Sequence, residues 1–344
     1  MSKEFVGVIG AGSFGTAVAN KLARNSDVIL YARNPDNAQM IQKSRHSADQ
    51  KLSDRIEVTN DLQYVAEQCN TIFPIVPSAN FRNMMQRLAP FLHPYHVLIH
   101  GTKGLDLQLP DPENSSFQLS VEHIKTMSQV IREESVVVRV GCMAGPNLAY
   151  ELSQGDPAAT VIASPFTEVV NEGKRLLRSE NFQVYGNSDL AGVELCGVLK
   201  NIIAIASGIL SGLGFRENAR GLLVSRGLVE MIYLGRALGG EISSFIGLAG
   251  IGDLVATTIS ENSRNYACGY KLAQGKTLEE VIDEMEETAE GINTIRIIMQ
   301  LAESQKLKPL ITDTLSKIMF KGMSPAEGVN YLMRYPGNID IDFL

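Results

Sequence analysis

Six residues near the start of the chain constrain its fold most: Gly10-Ala11-Gly12-Ser13-Phe14-Gly15. They follow a short apolar run, Phe5 to Ile9, and lead into a helical pattern from Phe14 to Arg24. In that setting each glycine has a task. The first makes a tight turn, the second admits a pyrophosphate close to the backbone, and the third lets strand and helix pack closely. The helix start adds unpaired N–H groups and the positive end of a dipole, so an anion is favoured there. Without the flanking strand and helix the pattern would read as a plain tight turn.

The surrounding rhythm agrees with a βαβ unit. Apolar runs at Val28 to Tyr31, Thr71 to Ile75, His96 to His100, Val136 to Val140, Ala159 to Ala163 and Phe182 to Tyr185 predict further strands. Helical patterns such as Phe81 to Ala89 fall between several of them. That order predicts an α/β Rossmann domain with a doubly wound, mainly parallel sheet. Beyond Gly186-Asn187-Ser188-Asp189 the apolar positions recur at three- and four-residue spacing. Asp189 is placed to cap a long helix through Leu199 and Ile209. More helices are expected over Asn218 to Leu238, Thr277 to Glu286, Glu290 to Gln305 and Thr312 to Phe320. We therefore expect a dinucleotide-binding domain over 1–189 and an all-α domain for substrate and catalysis over 190–344.

Composition narrows the class. With 31 Lys and Arg against 38 Asp and Glu, the formal charge is −7, which disfavours nucleic acid as a partner. A small phosphorylated substrate is still accessible if a few cations converge. No run of about eighteen apolar residues is found, so nothing here is expected to span a bilayer and no membrane insertion is expected. The apolar N-terminal run is too short for a signal peptide, which predicts a cytoplasmic protein. Cys69, Cys142, Cys196 and Cys268 lie far apart and read as buried apolar residues. The histidines show no ligand spacing, so no metal is expected.

Ligands of such sheets sit beyond the carboxyl ends of the strands. After the second strand stand Tyr31-Ala32-Arg33-Asn34, with the nearest acid at Asp36. Arg33 either stacks on adenine or pairs with a 2′-phosphate, or it is a solvated surface residue; NADPH is tolerated and the NADH preference stays open. Lys103, in Gly101-Thr102-Lys103-Gly104, reads equally as a substrate contact or as a solvated loop lysine. The loop Ala144-Gly145-Pro146-Asn147 follows the next strand. In the helical half, Lys200-Asn201 interrupts an apolar segment. A lysine buried there would need a partner and could exchange a proton, whereas an exposed one would merely snorkel. Asp253, in the glycine-rich stretch Gly247 to Leu254, is a candidate partner. Ser263-Arg264-Asn265 make a phosphate cradle if a helix starts there, and an ordinary cap otherwise.

These residues stand in segments that closely resemble the bacterial-type NAD(P)-dependent glycerol-3-phosphate dehydrogenases. They are GAGSFGTA from Gly10, VPSANFR from Val76, TKGL from Thr102, AGPNLAYE from Ala144 and GVELCGVLKNIIAIASGILSGLGFRENAR from Gly192. SRGLVEM from Ser225, GLAGIGDLVATT from Gly247, SRN from Ser263 and AEG from Ala289 continue the series. The resemblance spans almost the whole chain, and the segments around Lys200 and Asp253 are its most specific parts. It implies reduction of dihydroxyacetone phosphate to sn-glycerol 3-phosphate with NAD(P)H, feeding glycerophospholipid synthesis. It also implies that Lys200 is the catalytic lysine, exchanging a proton with the substrate C2 oxygen. Lys103, Gly145, Asn147, Asp253, Ser263, Arg264 and Asn265 would complete the substrate set. Gly10, Gly12, Ser13, Phe14, Gly15, Arg33, Lys103, Ala149, Arg264 and Glu290 would contact the cofactor. Asn147 stands where the family commonly has Ser or Thr, Tyr266 where it has Arg, and Arg220-Gly221 where it has Lys-Ala. The oligomeric state stays open, a homodimer included.

The same domain plan occurs in 3-hydroxyacyl and 6-phosphogluconate dehydrogenases, and a redox sensor could carry the same glycine loop. Lys103, Lys200 and Asp253 together favour an enzyme, because a sensor needs no proton donor.

Overall fold

The computed structural model describes residues 5–108, 119–285 and 289–335. The chain divides into two compact units. One comprises Met1–Asp106 with Thr126–Glu194, the other Leu107–Lys125 with Leu195–Leu344.

The first unit is built on an eight-stranded sheet. Its strands are β1 (Phe5–Ile9), β2 (Asp27–Tyr31), β3 (Ile56–Thr59), β4 (Cys69–Pro74), β5 (Val97–His100), β6 (Arg139–Ala144), β7 (Ala158–Ala163) and β8 (Phe182–Asn187). They lie in the order β3-β2-β1-β4-β5-β6-β7-β8. The pairings from β3 through β6 are parallel, β7 runs antiparallel to β6, and β8 runs parallel to β7. The order reverses beside β1, and a ligand crevice forms outside the strand ends at such a reversal.

Helices cover both faces. On one side α1 (Ser13–Leu22) and α7 (Thr167–Leu177) supply Val18, Leu22, Val169 and Leu176 to a core that includes Val8, Leu30 and Phe73. On the other, α3 (Leu62–Gln68), α4 (Ser78–Leu88) and α5 (Met127–Glu134) bring Val65, Phe81, Met85, Val130 and Ile131 against Ile9, Ile72 and Leu98. Strands covered on both faces are apolar along their whole length, which is why they were legible as runs. Two further helices, α2 (Pro35–Ser44) and α6 (Ala149–Gln154), follow β2 and β6.

The strand expected at Val136 to Val140 lies instead at Arg139–Ala144. Val136 and Val138 are 56% and 57% exposed, and pairing with β5 begins only at Arg139 opposite Val97. The partner strand, rather than the apolar run, sets where this strand starts. His96 precedes β5, its ring fixed by the backbone of His93 and Ala66.

Beyond Leu190 the described residues form helices and turns only. The longest are α8 (Leu190–Gly212) and α9 (Glu217–Ala237). They are followed by α10 (Ile242–Phe245), a π-helical turn at Leu248–Gly252 and α11 (Asp253–Ile259). Next come α12 (Arg264–Ala273), α13 (Leu278–Asp283), α14 (Glu290–Gln305), α15 (Leu310–Phe320) and α16 (Pro325–Arg334). The helix expected to run to Glu286 ends at Asp283, and Glu286 itself lies outside the described residues. Asp189 caps α8 as expected, its Oδ1 accepting from Gly192 N at 2.9 Å.

One sequence expectation needs amending. By length and composition α8 reaches what a bilayer-crossing helix requires, although Glu194, Lys200 and Asn201 interrupt it. Its most apolar window is 94% buried inside the protein, so its apolar surface is spent on the core. Close helix contact is built in at Gly269. A Cβ there would lie 1.9 Å from Ile205 O, so only glycine lets α12 press on α8.

Candidate active site

In the first unit the glycine fingerprint forms the turn from β1 into α1. Gly10 has φ +123°, and a Cβ at this position would lie 2.0 Å from Ile75 O. Any other residue would be strained and would also clash. The N-cap of α1 is Gly12, no side chain caps the helix, and no acid occupies its first turn. That donor set fits a pyrophosphate: backbone N–H groups and a positive dipole end face the space above the loop, with no carboxylate to oppose an anion. Gly12 is exposed, while Ser13 and Phe14 are half-buried.

Arg33 is exposed just beyond β2, and the nearest acid, Asp36, lies in the first turn of α2 behind the Asn34 cap. No carboxylate therefore ends β2, and nothing in this loop bars a 2′-phosphate.

The loops after β4, β5 and β6 are tied together. Thr102 Oγ1 donates to Val76 O at 2.6 Å, and Lys103 Nζ donates to Gly145 O at 3.1 Å. Gly145 and Lys103 thus belong to one constellation, with the half-buried ammonium held over the loop after β6. Asn147 is buried, and its Nδ2 donates to Thr160 Oγ1 at 2.9 Å, which in turn donates to Ala144 O at 3.1 Å. Ala149 opens α6.

The second unit holds the other group of candidates. Lys200 is only 4% exposed, and its Nζ lies 2.8 Å from Asp253 Oδ1. It also donates to Thr257 Oγ1, which donates to the same Asp253 oxygen at 3.1 Å. The lysine therefore takes the buried alternative, with its charge matched. Thr257 was not singled out from the sequence; it lies one helical turn after Asp253, a signal meaningful only once a helix is known to begin there.

Ser263, Arg264 and Asn265 open α12. Ser263 Oγ accepts from Tyr266 N at 3.3 Å, and Arg264 is exposed at the first helical position. Here the helix start and the guanidinium stand side by side, the arrangement a phosphate needs. Asn265 is buried with both ends of its amide engaged. Its Nδ2 donates to Asn201 Oδ1 at 3.0 Å, and its Oδ1 accepts from Gly291 N at 2.9 Å. It thereby links α8 to the start of α14, where Glu290 is the first helical residue. Asn201, beside Lys200, is a second residue whose part emerges only from the fold.

All four cysteines are buried and none forms a disulfide, and burial pushes the thiols of Cys69 and Cys268 up to about 12. Neither is a nucleophile at neutral pH.

Family models for the N-terminus and C-terminus of NAD-dependent glycerol-3-phosphate dehydrogenase match residues 5–170 and 189–330. Among curated relatives, "Glycerol-3-phosphate dehydrogenase [NAD(P)+]" of Teredinibacter turnerae is 37% identical over 343 residues, covering 98% of this chain and 96% of its own length. The Carboxydothermus hydrogenoformans protein of the same name is 36% identical over 343 residues, covering 98% of each. A crystal structure of glycerol-3-phosphate dehydrogenase from Coxiella burnetii superposes with a TM-score of 0.86 at 31% identity, covering 96% of this chain and 99% of that one. Two matched models that together take in most of the sequence, and relatives this similar over almost their full length, establish that the chain belongs to the NAD-dependent glycerol-3-phosphate dehydrogenase family.

Proposed function

We propose that this chain catalyses the reversible reduction of dihydroxyacetone phosphate to sn-glycerol 3-phosphate with NAD(P)H, with Lys200 as the proton donor. Family membership supports the reaction. The observation that carries the residue assignment is the buried Lys200–Asp253 pair, an ammonium fixed in direction by a carboxylate and by Thr257.

Residues 1–189 bind the dinucleotide in this reading, and residues 190–344 bind the substrate and move the proton. Gly10, Gly12, Ser13, Phe14 and Gly15 hold the pyrophosphate, Arg33 the adenosine end, and Lys103, Ala149, Arg264 and Glu290 complete the cofactor contacts. When bound, the reduced nicotinamide supplies a hydride to substrate C2. Negative charge then grows on the C2 oxygen, and Lys200 stabilises it and delivers a proton. Lys103, Gly145, Asn147, Asp253, Ser263 and Asn265 orient the substrate, while Arg264 and the α12 N-terminus hold its phosphate. Binding energy at the phosphate, remote from the reacting carbon, positions the carbonyl. We assign the enzyme to the cytoplasm, supplying glycerophospholipid synthesis.

The direct test is oxidation of NADH and of NADPH, followed in parallel at 340 nm with dihydroxyacetone phosphate. Turnover with at least one cofactor is expected; none with either overturns the assignment. The phosphate contact has its own test. A hydrogen bond to a charged group contributes about 1.5–3 kcal/mol, so Arg264→Ala is expected to raise the KM for dihydroxyacetone phosphate roughly 10- to 100-fold. An unchanged KM would remove Arg264 from the phosphate.

A further inference from the structure

The glycine loop is fastened from outside by a hairpin that has no part in the fingerprint. His46–Ser47 and Gln50–Lys51 pair antiparallel across a turn at Ala48 and Asp49. Ser47 Oγ donates to Ala11 O at 2.9 Å, and Gln50 Nε2 donates to Ser13 O at 2.9 Å. Thr16 Oγ1 donates to Ser47 Oγ at 3.1 Å, and Asn20 Nδ2 donates to Lys51 O at 3.0 Å. The hairpin therefore runs along one side of α1 and ends on two carbonyls of the loop.

Those carbonyls matter because a trans peptide unit is rigid and planar, with C=O and N–H pointing opposite ways. Ala11 O shares its unit with Gly12 N–H, and Ser13 O shares its unit with Phe14 N–H. Fixing either oxygen aims the corresponding N–H, and both N–H groups belong to the loop's anion-binding face.

Two features set the hairpin apart from simple scaffolding. Ala48 and Asp49, the two turn residues, both adopt left-handed backbone, with φ of +46° and +61°. A two-residue turn with positive φ at both positions favours Asn-Gly, and alanine gains no side-chain compensation there. Such strain persists only where the surroundings over-determine it, and it clusters at functional sites. In addition, Gln50 is 9% exposed and its Oε1 is buried with no hydrogen-bond partner. Leucine would fill similar space without an unsatisfied acceptor. What glutamine alone supplies is the N–H held on Ser13 O.

We propose that Ser47 and Gln50 are positioning residues for the dinucleotide, aiming the Gly12 and Phe14 N–H groups before the pyrophosphate arrives. The inference rests on reading Gly10–Gly15 as the cofactor loop. Preorganisation of this kind strengthens binding by removing an ordering step.

The test is NADH fluorescence titration of the full chain, with thermal unfolding of the cofactor-free protein alongside. Ser47→Ala and Gln50→Leu are each expected to weaken NADH binding about 3- to 10-fold, the usual worth of one hydrogen bond. The loss should fall on the KM for NADH rather than on kcat, without a lower unfolding temperature for Gln50→Leu. Ser47→Thr, which keeps the hydroxyl, should restore affinity. Gly12→Val separates the two readings. If it abolishes binding while Ser47→Ala and Gln50→Leu bind as tightly as the wild type, the positioning role is overturned and the loop assignment stands. If Gly12→Val also binds normally, the loop assignment falls and the proposal falls with it. A lower unfolding temperature with unchanged affinity would make the hairpin scaffolding only and overturn the proposal.

Discussion

Replacing Lys200 with alanine lowers kcat with dihydroxyacetone phosphate about 10²- to 10⁴-fold, the usual contribution of a positioned acid, while NADH binds with wild-type affinity. The split is expected because Lys200 lies in the second unit and the glycine loop in the first. The variant also leaves Asp253, whose side chain is 1% exposed, as a buried charge without its lysine. Breaking a buried pair from one side destabilises by about 3–5 kcal/mol, so a lower unfolding midpoint will accompany the lost activity. A second variant separates these effects. Lys200→Met combined with Asp253→Asn removes both charges at similar volume and should regain most of the stability, since neutral replacement of a buried pair is commonly tolerated. Its turnover should remain lost. Wild-type turnover in Lys200→Ala would take the lysine out of the mechanism.

Why Lys200 and Asp253 could be read from sequence while Thr257, Asn201, Ser47 and Gln50 could not is a matter of physical contrast. A lysine in an apolar helix and an aspartate in a glycine-rich stretch stand out because burying an unmatched charge is so unfavourable. A threonine or asparagine carries no such penalty and blends into any helix. Ser47 and Gln50 meet the loop across 36 and 37 residues of sequence, a contact that no local pattern encodes.

Strands followed the same logic. Val28–Tyr31 is buried throughout and was legible as an apolar run, whereas Ile56–Thr59 was missed. That strand lies at the sheet edge, only Ile56 in it is fully buried, and Glu57 and Thr59 break its apolar character. Val136 and Val138 err the other way, as apolar residues that face solvent. One-dimensional pattern reports burial well when both faces are covered and poorly at edges.

Replacing Glu194 with glutamine is expected to destabilise the protein by about 1.5–3 kcal/mol at neutral pH, the usual worth of a hydrogen bond to a charged group. Glu194 is 5% exposed and accepts from Ser128 N at 2.9 Å, Ser128 Oγ at 2.6 Å and Thr126 Oγ1 at 2.9 Å. Its Oε1 also lies 2.8 Å from His100 Nε2. It thus binds the first turn of α5 and the end of β5, just before the Lys103 loop. Burial alone would push this carboxyl up, but the neighbouring His100 and the Ser128 donors outweigh it and hold the group below its ordinary 4.5. A folded value below the unfolded one makes the carboxylate's contribution complete above about pH 4.5 and lost as pH falls through the folded value. Urea melts from roughly pH 7 down to 3 should therefore show the wild type losing its advantage over Glu194→Gln on the acid side. A gap that stays constant across that range would mean that the ionised carboxylate contributes nothing.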